Sequence, residues 1–118
     1  MTLEQIKQLS DEEIRIKVAE LLRWKNIRVD WDYFDYQDDT GLVATNEIGY
    51  TLPLPDYPRD LNACFEMEET LDDSQKDSFE YVLGIVIGPS RERWRWHLLH
   101  ATARQRCEAF IAVKERET

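Results

Sequence analysis

His100, Thr102, Arg104 and Arg106 fall within seven residues of one another in the stretch RWRWHLLHATARQRCEAF, Arg93 to Phe110. An imidazole, a hydroxyl and two guanidiniums are groups that hold phosphate or carboxylate oxygens. Thr102 stands where a helix N-cap would, with Gln105 three residues on, as in a capping box. Before it, Trp94, Trp96 and Leu98 alternate, which predicts a buried strand over residues 93–100. A strand running into a helix leaves free backbone N–H groups at the helix start, where the dipole favours negative charge. The spacing therefore predicts an anion pocket at this junction. Arg104 is placed to reach back over the helix start. Arg106 lies at the other edge of the apolar stripe Ala103, Cys107, Phe110 and Ile111, where it can pair with an acidic group such as Glu68.

A second candidate lies upstream. Tyr50 and Tyr57 flank a link stiffened by Pro53, Pro55 and Pro58, which leads into a helix start bearing Arg59 and Asn62. Tyr50, Tyr57 or Trp24 could stack on a base, while Arg59 and the helix N–H groups meet a phosphate. Asn62 or His100 would read polar edges. Either pocket suits a small phosphorylated ligand.

Other chemistry is weakly supported. The acidic run Asp30, Asp32, Asp35, Asp38 and Asp39 lacks the turn glycine and closing glutamate of a calcium loop, and reads as a solvated face. Glu68 sits within an apolar helix stripe, where a raised pKa would suit a general acid; pairing with an arginine is favoured. No nucleophile elbow, Walker loop or dinucleotide glycine pattern is present. No metal or other cofactor is implied. Cys64 and Cys107 fall on apolar stripes and read as reduced core residues.

The positioning elements follow from periodicity. Ser10 with Glu13 caps a helix running to about Trp24 along Ile14, Val18, Leu21 and Leu22. Residues 27–36 alternate as a half-solvated strand, followed by a turn at Asp38–Gly41. Residues 42–45 and 48–52 form one interrupted strand or two short pieces. A helix from Arg59 to Leu71 carries Leu61, Cys64, Met67 and Leu71 inward, and 72–77 is polar. Residues 79–87 are apolar on both faces, as in a central strand, though a buried helix fits the same pattern. The expected fold is α/β: a single domain over residues 1–118, with a mostly antiparallel sheet of about four strands between three helices.

The chain has 118 residues, 42% of them hydrophobic, enough for one core. Its formal charge of −9 argues against nucleic acid polymers, which need a basic face. It lacks an apolar run of membrane-spanning length, and a cytoplasmic location is expected. Leu3, Ile6 and Ile16 lie off the core stripe and predict a subunit contact, hence a homodimer or larger homo-oligomer.

Four segments resemble the phage ABA-sandwich domain family. They are LSDEEIRIKVAELL-x-WKNI from Leu9, NEIGYTLPLPDY at 46–57, DLNACFEMEETL at 60–71 and HATARQRCEAF at 100–110. The resemblance implies an α/β/α sandwich encoded by phages or prophages, and it assigns no catalytic residues. By analogy with small phage proteins that act on host defence, the expected role is a non-enzymatic sponge. It would sequester a nucleotide immune signal such as a cyclic dinucleotide or a cyclic ADP-ribose-like molecule. The alternatives are an inhibitor that docks on a host defence protein through its acidic surface, and a nucleotide-degrading enzyme.

Overall fold

Capping chemistry sets the helix starts. Ser10 and Glu13 exchange side chain-to-backbone bonds at one helix start, and Asp72 and Gln75 do so at another. At a third, the Gln105 N–H donates to Thr102 Oγ1 at 3.0 Å and the Thr102 N–H donates to Gln105 Oε1 at 2.9 Å. The structure, a computed structural model, describes residues 1–32, 38, 40–88 and 93–116, with the backbone alone for Trp94. Its elements are α1 (Leu3–Lys7), α2 (Asp11–Leu21), β1 (Lys25–Val29), β2 (Leu42–Thr45), β3 (Thr51–Pro53), α3 (Leu61–Glu69), α4 (Asp73–Ile87), α5 (Trp94–Leu99) and α6 (Ala103–Arg116). The fold is mixed α/β, with a three-stranded antiparallel sheet in the order β1-β2-β3.

Two of the four expected strands are helices. Residues 79–87 belong to α4, whose buried Gln75, Phe79, Val82, Leu83 and Val86 recur at helical spacing. Exposed Tyr81 and Ile85 on the far side made the segment look apolar on both strand faces. The polar residues 73–77 form the first turns of this helix rather than a loop. Residues 93–100 contain α5; Trp96 and His100 stack at 3.9 Å, a contact between side chains four apart that a helix makes and a strand does not. The count is thus three strands and six helices among the described residues, and the layered sandwich lacks two of its four expected strands. Of the strand expected over 27–36, Lys25–Val29 is formed and residues 33–36 lie outside the described part.

Helix α6 is the centre of the packing. Cys107, Ala109, Phe110 and Ile111 are fully buried, and α1, α2, α3 and α4 all pack on it. Ile14 and Val18 of α2, Met67 of α3 and Phe79 of α4 complete that core with Leu42 and Ala44 of β2. Leu61 departs from the expected stripe and is 46% exposed. Ile6 is fully buried and so does not supply the subunit contact read from its position, while Leu3 is partly buried against the core. Cys64 and Cys107 are unbridged and buried, with their sulfurs 3.8 Å apart in the seam between α3 and α6. The neighbouring Cys64 thiol and burial push the Cys107 thiol well above its usual range. At Gly41 (φ +66°) a Cβ would sit 2.8 Å from the Trp31 ring, so only glycine fits this turn.

Phe110 is the test of this centre. Phe110→Ala should lower the unfolding free energy by about 3–5 kcal/mol in urea titration, whereas exposed Ile48→Ala should change it by about 0.5 kcal/mol or less.

Candidate functional site

Each helix start singled out from the sequence already has first-turn N–H groups engaged by its own cap residue. At α3, Asp60 Oδ1 accepts from the N–H groups of Asn62 at 3.0 Å and Ala63 at 3.4 Å. A carboxylate thus occupies the place of an incoming anion. At α6, the Thr102–Gln105 box takes the equivalent donor. Arg59 Nε lies 3.6 Å from Asp11 Oδ2, and Arg104 Nη1 lies 2.8 Å from Asp11 Oδ1. The structure therefore brings Arg59 and Arg104 together, around a carboxylate at the first turn of α2. Arg104 also donates through Nη2 to the carbonyls of Leu9 at 2.6 Å and Lys7 at 3.1 Å, and its Nε lies 3.6 Å from Glu108 Oε2. It fastens the end of α1 to α6 rather than reaching over its own helix start. Asn62 is exposed, as is His100, whose Nδ1 lies 2.9 Å from the Trp96 carbonyl oxygen.

Trp24 and Tyr57 meet elsewhere. Trp24 Nε1–H donates to the Tyr57 hydroxyl at 3.1 Å. Burial, opposed by that bond, pushes the Tyr57 phenol up to about 12. The two rings line a hollow of about 320 Å³ whose charged lining is Glu47 and Glu66. Without a cation in that lining it does not suit a phosphate. Tyr50 is exposed and does not line this hollow.

Arg106 leads to a different place. Its Nη1 donates to Glu68 Oε1 at 3.0 Å, the pairing expected from the stripe edge. Its Nε donates to the Ala101 carbonyl at 3.3 Å, and Nη2 to those of Leu98 at 3.2 Å and Leu99 at 3.4 Å. The guanidinium lies 5.3 Å from the centre of the Phe65 ring, within cation–π range. Glu68 Oε2 is buried, and no donor of the described residues meets it. Burial pushes the Glu68 carboxyl up, against the lowering effect of Arg106. This pair lines a groove of about 660 Å³ between α3, α4, α5 and α6. Lys76 and Arg95 line it too, beside an apolar wall of Phe79, Leu83, Leu98 and Leu99. Glu69 and Glu80 complete its charged lining. The volume lies within the usual range for small-molecule sites. Lys76 and Arg95 escape notice in the sequence because their segments read as a polar loop and a strand.

Buried Arg15 also escapes a reading that puts charge on the surface. Its Nε donates to the Pro55 carbonyl at 3.1 Å, Nη1 to Thr40 Oγ1 at 2.9 Å, and Nη2 to the Leu54 carbonyl. Asp38 completes the set at 2.8 Å. This holds the Pro-rich link against α2.

Comparison with protein-family models, with curated proteins and with solved structures finds no match to this chain.

Two measurements test the worth of these ion pairs. Arg104→Ala should cost about 2–3 kcal/mol of unfolding free energy, the scale of lost charge-assisted bonds, while Arg59→Ala should cost about 0.5 kcal/mol or less. The second concerns acid. Burial pushes the Asp38 carboxyl up, but bonds from Thr40 and the charge of Arg15 outweigh it and hold it below its ordinary value. A lowered carboxylate stabilises above the unfolded pKa near about 4 and loses that share as pH falls through the folded pKa. In urea titrations from about pH 6 to about pH 2, the stability difference between the parent and Asp38→Asn should shrink at the acid end.

Proposed function

We propose that this chain is a non-catalytic binding protein for a small phosphorylated ligand of the nucleotide class, held in the groove beside Arg106. The observation that carries this reading is the composition of that groove. Lys76, Arg95 and Arg106 balance Glu68, Glu69 and Glu80 there, on a chain whose formal charge is −9. A phosphate needs the cations, a base can lie on the apolar wall, and its N–H donors suit the carboxylates. Of the residues first singled out, Arg106 is the one that lines this groove. Arg59, Arg104, Thr102 and Asn62 are engaged or located elsewhere, and Trp24 with Tyr57 line the acidic hollow.

The resemblance to the phage ABA-sandwich domain supports a role in sequestering a nucleotide immune signal of the host cytoplasm. The position of Glu68 on the groove, with its raised carboxyl, favours a second reading, in which water attacks the ligand as Glu68 gives its proton to the leaving group, and the ligand is hydrolysed.

A thermal-unfolding screen against mononucleotides, cyclic dinucleotides and cyclic ADP-ribose decides between these. A ligand at a hundred times its dissociation constant should add about 2.7 kcal/mol of stability. Lys76→Ala and Arg95→Ala should each weaken its binding about tenfold or more with the fold intact. Mass spectrometry of the ligand released on denaturation should return it unaltered; a cleaved product assigns the catalytic role instead. A screen in which no nucleotide raises the unfolding temperature removes the proposal.

A further inference from the structure

Helix α4 presents an apolar ridge that the fold leaves uncovered. Tyr81 is 72% exposed and Ile85 49% exposed, with Gly84 between them. A Cβ built at Gly84 meets nothing within 4 Å, so a dimple opens beside the tyrosine ring. Between this ridge and Leu98 of α5 runs a cleft of about 620 Å³ whose charged lining is Asp77 and Glu80. The surface does not stop there. Leu98 also lines the groove beside Arg106, next to Leu99, which is 75% exposed. On the other flank Ile85 lines a hollow with Met1 and Leu3. A continuous apolar surface of this kind is the mark of an interaction site.

Its charges say what covers it. The α4 side carries exposed Asp73, Asp77 and Glu80 against one exposed cation, Lys76, and is acidic in balance; the α5 side carries exposed Arg93 and Arg95. A two-fold contact must be self-complementary, each copy offering what the other accepts. A surface acidic on one half and basic on the other meets that condition when a second copy is turned over upon it. The overall charge of −9 makes two copies repel, so a self-contact needs such a local reversal of sign. A foreign partner would need only one sign.

We propose that this α4–α5 face is the two-fold interface of a homodimer, in which the Tyr81 ring of each copy seats over Gly84 of the other. Asp77 and Glu80 of each copy then face Arg93 and Arg95 of its partner. The interface shares Glu80, Arg95 and Leu98 with the groove beside Arg106, so it is tested on the protein alone, with no ligand added.

Light scattering after gel filtration at micromolar concentration should give a dimer mass. Tyr81→Glu removes the knob and Gly84→Leu fills the dimple. Each should raise the dimer dissociation constant at least about thirtyfold, as for a central interface residue. Neither side chain lies in the core, so circular dichroism and thermal unfolding should still report a folded chain. Charge reversal gives a second readout. A variant with Asp77→Arg and Glu80→Arg, and another with Arg93→Glu and Arg95→Glu, should each be monomeric alone and should form a mixed dimer together. A monomeric parent, or an assembly that survives both Tyr81→Glu and Gly84→Leu, overturns the proposal. A pair of charge-reversed variants that stays monomeric on mixing overturns the facing of α4 on α5.

Discussion

Helix α6 is buried on nearly every side, and a helix in that position cannot carry charge without bringing partners to it. Arg106 and Glu108 are among the few buried charged residues of the chain, and Arg104 is three-quarters covered. Desolvating such groups is costly unless each finds a counter-charge and hydrogen bonds. Arg104 turns to Asp11 and Glu108, Arg106 to Glu68. The remaining donors go to backbone carbonyls at and beside helix ends, where intrahelical bonding runs out. Arg104 serves those at and beyond the end of α1, and Arg106 those around the end of α5. Arg15 does the same for the carbonyls of Leu54 and Pro55, where the link leaves β3. Arg104 and Arg15 thus join segments far apart in sequence through backbone acceptors, while Arg106 ties α6 to the end of the neighbouring α5. The buried position of α6 fixes the attachment of both neighbouring short helices.

The same requirement explains why the arginines in the sequence were poor guides to a ligand. An anion pocket needs cations with spare donors. Arg104 spends its donors on Asp11 and the end of α1, and at the two proposed helix starts Asp60 already takes the N–H groups of Asn62 and Ala63 and Thr102 that of Gln105. The groove beside Arg106 instead sets Lys76 and Arg95 against an apolar wall. That groove exists because α5 is a helix, whose turn places Leu98 and Leu99 against its edge.

Local signals were legible in the sequence and long-range ones were not. The boxes at Ser10–Glu13 and Thr102–Gln105 are complete within four residues, and the helices they begin are formed. The Arg106–Glu68 pair was readable because both lie at the edges of apolar stripes that had to meet. Residues 79–87 and 93–100 misled because short apolar runs satisfy two periods at once. In α4 the deciding evidence lay upstream, in the Asp72–Gln75 box. The clasp of Arg104 on the end of α1 joins residues more than ninety apart and has no local signature. Arg15 sits between Ile14 and Ile16 and gives no sign of the link that closes over it.

The paired thiols of Cys64 and Cys107 give the molecule an internal clock. They lie in the seam between α3 and α6, and the residue beside Cys107 and the one a turn beyond Cys64 are the two ends of the Arg106–Glu68 bridge. Solvent reaches the sulfurs only when that seam parts. Any reagent that captures a thiol therefore records how often α3 lifts from α6, with no probe added to the chain. Slow capture against a background of rapid loop motion would mean that the groove is held open as a fixed shape; fast capture would mean that it breathes at its own hinge.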